Sequence, residues 1–393
     1  MIALTTETLD SWADDPNGPV ALHLRQKLMP VEDDCPVIFP PTYADIGYNI
    51  DTLSDGSKVC TIDSVGSQAN RMEPMFKASA PEERENPLAE LVPQIVIDLH
   101  SEGGHAETLS VLDLAHRSAD AVVYSSPKLA QQVTAAFKAL SQRNDAWPLC
   151  CIAPTSLVFG VWDSRGDSGE KRPRVIRSII RAWGVDVLSA AAQFNSVSKH
   201  LTDEQKTELQ KEANARKTKL SEKGFADAPA TFRKLTGSAD KAVPQFKNGS
   251  PNPERRVLGG VYVWDRIERE VTVNLVALRC LRGADARKTQ DIRRYILALT
   301  MIAATAEMDF FLRSGCQLQI PETTDEWSIV PRRGIPEKAA LSSSTVSNLL
   351  LSYARSAVTP FKAAWPKELT YKFDLKQAKN LLAKKEADEA DEG

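Results

Sequence analysis

The chain has 393 residues, of which 42% are hydrophobic and 26% charged, and its formal net charge is -3. This composition excludes disordered, collagen-like and fibrous proteins, and the length allows one large elaborated domain or two ordinary ones. The charge is unevenly spread, because residues 1–160 carry 10 Lys and Arg against 22 Asp and Glu, whereas residues 161–300 carry 27 against 17. The middle of the chain therefore indicates a surface that faces a polyanion, or a basic region of one copy that meets an acidic region of another.

Cysteine usage and hydropathy predict a soluble, cytoplasmic protein with no membrane partner. The six cysteines form no CxxC pair and no zinc-ligand spacing, which fits a reduced compartment better than a secreted disulfide framework. The longest uncharged apolar-rich run, residues 296–306, is too short to cross a bilayer. No basic-then-apolar signal peptide opens the chain, so we expect it in the cytoplasm.

The first half of the chain predicts short strands and helices separated by loops. Residues 57–63 alternate as a strand does, and Ser64 is placed to cap a short helix that Pro74 ends. Where a strand leads directly into a helix, the free N–H groups and the helix dipole favour phosphate. Apolar residues at helical spacing then predict helices over residues 108–123 and 127–142.

The basic middle of the chain predicts a β-hairpin followed by an insertion. Residues 156–164 and 174–185 are two β-rich runs joined by a polar loop. Residues 195–256 hold 13 basic and 8 acidic residues, and we predict a basic insertion without a core of its own. Strands and helices mix without strict βαβ alternation, which predicts an α+β fold in a single elaborated domain over residues 1–393. Residues 384–393 predict a disordered acidic tail.

A long helix is predicted over residues 285–312, and its first turns gather Arg287, Lys288, Arg293 and Arg294. Cations near a helix N-terminus oppose the helix dipole, at a small cost in stability. The pattern therefore indicates an external anion near the start of this helix.

Three polar residues that follow Ser64 are candidate contacts for phosphate or sugar oxygens. Gln68, Asn70 and Arg71 offer hydrogen-bond donors at the predicted junction of strand and helix. The alternative is an exposed helix turn with ordinary polar residues.

Five cations of the predicted hairpin form a second candidate site. They lie within eleven residues, with no acid between them: Lys171, Arg172, Arg174, Arg177 and Arg181. A polyanion would relieve their mutual repulsion, and Arg suits bidentate phosphate contacts and stacking on bases. Neighbouring Phe159, Trp162 and Trp183 could stack on the bases of a single strand. The alternatives are a solvated basic face and aromatic residues of the core.

Three histidines, His100, His105 and His116, lie within seventeen residues of one another. Their spacing matches no zinc helix motif, which places two histidines four residues apart. A metal-dependent ribonuclease built on these histidines stays the alternative function, although we expect no metal, no cofactor and no catalytic residue. His116 and Arg117 are also a candidate pair for RNA contact, and the alternative is a structural histidine beside a surface arginine.

The chain contains, in this order, the segments PVIFPPTYADIGY, VGSQANRMEP, LAHRSADA, SLVFGVWDS, RVIRSIIRAWGVD and VALRCLRG. Together they resemble the CRISPR-associated RAMP-superfamily proteins that form the backbone subunit of type I-G (formerly I-U) Cascade effector complexes. The combination of SQANRME with FGVWDS and the Arg-rich run is the specific part of this resemblance. Residues 195–256 match the family poorly.

The resemblance implies an RRM-like (ferredoxin-like) palm with large insertions, the fingers and thumb of a hand-shaped subunit. It implies several copies in a head-to-tail filament on a CRISPR RNA, beside other Cascade subunits, with a target DNA strand paired to the guide. The RNA contacts would come from Gln68, Asn70, Arg71, His116, Arg117 and the basic residues of the hairpin. No acid matches the backbone-cleavage Asp of related complexes, so the resemblance implies a non-catalytic protein.

Overall fold

The structure is a computed structural model, and it describes residues 4–32, 36–43, 46–80, 82–99, 107–166, 168–190, 197–218, 220–225, 246–247, 250–251, 257–321, 325–341 and 344–382. The helices are α1 Thr6–Asp14, α2 Val65–Met72, α3 Ala121–Tyr124, α4 Pro127–Arg143, α5 Trp147–Ile152, α6 Thr155–Phe159, α7 Asp203–Ala215, α8 Leu275–Arg279, α9 Ala286–Thr305 and α10 Ser344–Lys362, and residues 375–382 are also helical. The strands are β1 Ala21–Pro30, β2 Val37–Ile38, β3 Asn49–Thr52, β4 Lys58–Asp63, β5 Val96–Asp98, β6 Thr108–Ser110, β7 Val161–Trp162, β8 Lys171–Arg172, β9 Ile176–Ala190, β10 Phe246–Lys247, β11 Ser250–Pro251, β12 Val257–Asn274, β13 Phe310–Arg313, β14 Cys316–Gln319, β15 Glu326–Val330, β16 Glu337–Ala339 and β17 Thr370–Lys372.

Ten strands form one antiparallel sheet. Together with the helices, this sheet makes the fold a mixed α and β structure. The central order is β13-β14-β1-β12-β9-β4-β3, with β15 also on β1, β16 on β15 and β2 on β12. The two longest strands, β9 and β12, pair along most of their length, with register shifts that mark bulges. Strands from both ends of the chain therefore meet in one sheet.

Along β9 the residues on one face of the sheet are buried, and the other face carries two arginines with the buried Ile179 between them. Ile176, Ser178 and Ile180 are buried, and Arg177 and Arg181 alternate with them on the opposite face. The prediction that the two arginines share a face is therefore confirmed.

The α9 helix is the centre of the larger hydrophobic cluster. Every residue from Tyr295 to Ala304 is buried, so protein surrounds the second half of this helix on all sides. A smaller cluster, which includes Ile62, Ile180 and Phe310, lies between the sheet and the β13–β14 hairpin. Both clusters include residues of β9, the strand that carries Arg177 and Arg181.

Two sequence predictions around the first candidate site are confirmed. β4 covers residues 58–63 of the predicted strand 57–63, and the Ser64 hydroxyl accepts a hydrogen bond from the Ser67 N–H at the start of α2. The helix ends at Met72, and Pro74 continues the chain into a single 3-10 turn.

The predicted helix over residues 108–123 is wrong. The segment forms β6, two single 3-10 turns and the short helix α3. The Ser110 and Asp120 side chains each accept a backbone N–H and so start a new turn. Arg117 has a φ of +56°, which a right-handed helix does not allow. The apolar spacing reflects the burial of several short turns in the same core.

The first arm of the predicted hairpin is also wrong, because Thr155–Phe159 is the helix α6. Gly160 ends this helix with a φ of +82°, and the hairpin shrinks to the β7–β8 pair. The second arm is confirmed as β9, but it belongs to the main sheet.

The predicted helix over residues 285–312 ends earlier, at Thr305, and its cations are largely neutralised from within the chain. Arg294 contacts Asp10 at 2.9 Å and Asp14 at 2.7 Å, and Arg287 contacts Asp291 at 3.2 Å. Arg293 donates to the backbone carbonyl of Arg279, the last residue of α8, and to that of Leu281, which follows the helix. For these three arginines the inference of an external anion was wrong, because internal acids and carbonyls already satisfy them.

The predicted division of the chain stays a prediction. The insertion is described in part and contains α7, whose N-cap Thr202 and Gln205 form a capping box. The tail at residues 384–393 lies outside the described residues. Within the described ranges, no helix combines the length and the apolar character needed to cross a membrane.

Candidate functional site

Arg117 is the centre of the candidate site, because its guanidinium contacts two segments that are distant from it in sequence. Nε lies 2.7 Å from a carboxylate oxygen of Glu73, and Nη2 donates to Asn70 Oδ1 at 3.2 Å. Nη1 donates to the Gly160 carbonyl at 3.4 Å. Three of the segments that carry the resemblance, SQANRME, LAHRSADA and SLVFGVWDS, therefore meet at one side chain.

The ion pair of Arg117 and Glu73 is buried. Arg117 is 5% exposed and Glu73 is 1% exposed. The contact is close, but its angles fall outside hydrogen-bond geometry. Burial raises the pKa of Glu73 to about 7, and the charge of Arg117 opposes this rise. The guanidinium carbon also lies 5.5 Å from the centre of the Phe159 ring.

His116 and Arg117 are neighbours in sequence, but their side chains have different surroundings. The His116 ring is exposed, and its Nδ1 lies 3.2 Å from the Asp120 carboxylate. The left-handed backbone of Arg117 turns its own side chain into the core. The predicted pair is therefore one surface histidine and one buried arginine.

The exposed arginine of the site, Arg174, packs against Gly160. A Cβ atom at this position would lie 2.7 Å from Arg174 Cγ, so the Arg174 side chain packs directly over the glycine. Within the described part of the chain, no carboxylate or carbonyl pairs with the Arg174 guanidinium. Partial burial, and then the charge of Arg117, lower the pKa of Arg174. Arg174 is thus an exposed cation beside a second cation.

The β7–β8 hairpin adds an aromatic ring and a further cation. Trp162 is 58% exposed, and Lys171 Nζ lies 5.2 Å from the centre of its ring. Arg172, on the same strand as Lys171, pairs with Glu170 at 2.7 Å and donates to Asn144 Oδ1 at 3.1 Å. Arg172 therefore holds the hairpin, and Trp162 and Lys171 face solvent.

The two arginines of β9 differ in their partners. Arg181 pairs with Glu270 on the neighbouring strand at 3.0 Å. Arg177 is exposed, lies opposite Thr272, and has no acidic partner among the residues that the structure describes. Arg177 is therefore available to a ligand, whereas the charge of Arg181 is already balanced.

Gln68 and Arg71 both bind Asp63 at the end of β4. Gln68 is fully buried, donates to Asp63 at 2.6 Å and accepts from the Ser178 hydroxyl at 2.7 Å. Arg71 donates to Asp63 at 3.1 Å and to the backbone carbonyls of Phe311 and Leu312 on the edge strand β13. Both side chains thus join α2 to the sheet, and only Arg71 reaches the surface.

Four of the predicted residues are linked to the Gly160 turn. Arg117 and Arg174 contact Gly160, Asn70 binds Arg117, and Lys171 lies opposite Trp162 on the hairpin that follows the turn. Gln68, Arg71, Arg172 and Arg181 bind internal partners. Sequence reasoning missed Glu73 and Gly160. A turn signal was present for Gly160, a lone glycine inside an apolar run, but nothing in the sequence pairs Glu73 with a residue 44 positions away.

The alternative metal site is not supported. His100 and His105 lie outside the described residues, and His116 contacts Asp120. Among the residues with a described position, no three His, Cys, Asp or Glu side chains form a group that could hold a metal ion.

Replacing Gly160 by alanine is expected to lower the free energy of unfolding by about 2 kcal/mol, because the backbone is in a region that favours glycine. The new Cβ would also collide with Arg174. Gly169→Ala is the matched control, since Gly169 also has a positive φ but has no atom within 4 Å of the added carbon. Urea unfolding of both variants measures the difference. Equal losses would show that the packing of Arg174 over Gly160 adds nothing.

Residues 22–187 of the chain match the family model of the CRISPR-associated protein GSU0053. The matched range covers less than half of the chain, and it contains Glu73, Arg117, Gly160 and Arg174. A search of curated proteins found no match. The match supports a CRISPR-associated protein with a role in CRISPR defence.

Proposed function

We propose that this chain is a CRISPR-associated protein, a non-catalytic backbone subunit that binds guide RNA through the surface around Gly160. The observation that carries the proposal is the exposed Arg174 guanidinium, which packs over Gly160 beside the buried Arg117 and has no acidic partner in the described ranges. An uncompensated cation next to another cation favours an external anion. The match to the GSU0053 family and the resemblance to Cascade backbone proteins make RNA the anion we favour.

The proposed contacts are with the RNA backbone and not with particular bases. Arg174 and Lys171 would bind phosphate oxygens, and the exposed Trp162 ring would stack on any base. Asn70 would bind a phosphate or ribose oxygen from the same surface. A subunit built in this way binds any guide sequence, as a backbone protein must.

The wider proposal follows the resemblance. An antiparallel sheet with one face against helices supports the proposal of an RRM-like palm. Copies would assemble head to tail along the CRISPR RNA in the cytoplasm, with other Cascade subunits and with target DNA paired to the guide. The acidic part over residues 1–160 and the basic part over residues 161–300 could supply complementary surfaces between copies.

The test is the binding of fluorescent, unstructured single-stranded RNA by the wild type and by a Lys171→Ala/Arg174→Ala variant. We expect two unrelated RNA sequences to bind the wild type equally well, and the double variant to bind both about 10–100-fold more weakly. Lys128→Ala/Arg287→Ala is the charge control, because it also removes two exposed cations, but ones that already pair with the acids Glu368 and Asp291. Equal binding by the double variant and the wild type would contradict the proposed site.

A further inference from the structure

Arg117 has the sequence context of an RNA contact but the surroundings of a core residue. It is 5% exposed, and Glu73 is 2.7 Å away, so its charge already has a partner. A phosphate could reach its guanidinium only by displacing Asn70, the Gly160 turn, or both. Arg117 instead contacts Asn70 and the Gly160 turn, which belong to the proposed RNA-binding surface.

The bond from Arg117 to Asn70 determines how the Asn70 amide is oriented. Nη2 donates to Oδ1, and an arginine has no acceptor that could bind the amide NH₂ group. The Asn70 oxygen is therefore engaged, and among the described residues no acceptor binds its Nδ2 hydrogens. Phosphate and ribose oxygens are acceptors of this kind.

The bond from Arg117 to Gly160 supports the other side of the same surface. Nη1 donates to the Gly160 carbonyl, in the turn over which the Arg174 side chain packs. The turn also joins α6 to the β7–β8 hairpin, which carries Trp162 and Lys171. One buried guanidinium thus holds both the amide and the turn beneath the exposed cations.

We propose that Arg117 is a positioning residue, which orients Asn70 and the Gly160 turn toward RNA, is held by Glu73, and does not touch RNA itself. The proposal rests on the proposed function, because it assigns a role within the same RNA-binding surface. Glu73 belongs to this arrangement because it balances the buried charge that would otherwise stand beside Arg174.

The salt dependence of RNA binding separates a positioning residue from a contact. Each phosphate contact that is lost makes the slope of log K against log salt concentration shallower by about 0.7 for single strands. We expect Arg117→Met/Glu73→Gln, which removes the two charges together, to weaken binding about 5–20-fold with the slope of the wild type. Arg174→Ala is the matched contact variant, and its slope should be shallower by about 0.7.

Two results would overturn the inference. A slope that becomes shallower in the Arg117→Met/Glu73→Gln variant would make Arg117 a phosphate contact, and unchanged affinity would remove its positioning role. If the wild type bound no RNA, the proposed function would fail and this inference with it, whereas the two results above leave the proposed function intact.

A second measurement uses the wild type alone, so it does not depend on whether the variant folds. Phenylglyoxal modifies accessible arginines, and mass spectrometry locates the modified residues. We expect Arg174 to react in the free protein and to be protected by RNA, and Arg117 to stay unmodified in both states. An Arg117 that reacts in the free protein and becomes protected by RNA would contradict the inference.

Discussion

Replacing Arg117 by methionine is expected to lower the free energy of unfolding by about 3–5 kcal/mol at pH 8, because breaking a buried ion pair leaves the other charge uncompensated. Glu73 is 1% exposed and would remain in the core without its cation. The change also removes the donors to Asn70 and to the Gly160 carbonyl. Urea unfolding followed by tryptophan fluorescence gives the free energy directly.

Two further variants show whether the loss comes from the pair. Arg287→Met removes an arginine whose side chain is 78% exposed, and we expect a loss of less than about 0.5 kcal/mol. Adding Glu73→Gln to Arg117→Met removes the stranded carboxylate and should recover much of the stability. A loss below about 1 kcal/mol for Arg117→Met alone would mean that the pair does not hold this part of the core.

Glu73 is expected to make the stability of the protein depend on pH. Burial raises its pKa to about 7 from an ordinary value of 4.5, while Arg117 and the Thr155 hydroxyl lower it and the charge of Asp113 raises it. Asp113 itself pairs with Lys77 at 2.6 Å. Between these two pKa values the folded protein keeps the proton and the unfolded chain releases it, so the contribution of Glu73 to stability is lost as the pH rises toward 7.

A Glu73→Gln variant isolates this effect, because glutamine has the shape of the protonated acid and does not titrate. As the pH rises from 5 to 7.5, we expect the stability of the wild type to fall by about 2 kcal/mol relative to that of the variant. Urea unfolding of both proteins across this range measures the difference, and titrations of all other groups cancel in the comparison. A difference that stays constant with pH would show that Glu73 titrates normally.

Local patterns in the sequence predicted the elements whose stability is local. The alternation in β4 and β9, the Ser64 cap and the helix that became α4 all depend on residues close together in the chain. The segment 108–123 failed because side-chain caps and the positive φ of Arg117 break the helix that apolar spacing alone predicts.

The sequence shows where the basic residues of the candidate site are, but not which partner each side chain has. Five cations in eleven residues look alike in the sequence. In the fold, Glu170 pairs with Arg172 and Glu270 pairs with Arg181, while Arg174 and Arg177 have no such partner in the described part of the chain. An ion pair between residues far apart in the chain depends on the tertiary structure, which local spacing does not contain.

The fold also pairs some of the acidic residues of the first part of the chain with basic residues of the middle part. Asp10 and Asp14, in the acidic first part, both contact Arg294 in the basic middle part. Some of the opposite charge is therefore used within one copy. Among the described residues, the exposed cations around Gly160 have no acidic partner and stay open to a polyanion.

A salt titration of RNA binding by the wild-type protein tests most directly whether the protein binds RNA through phosphate contacts. If Lys171, Arg174 and Arg177 each bind a phosphate, the slope of log K against log salt concentration should be about -2 or steeper. Two unrelated single-stranded RNAs should give the same slope and the same affinity. Binding that is indifferent to salt, or no binding at low salt, would contradict the proposed function.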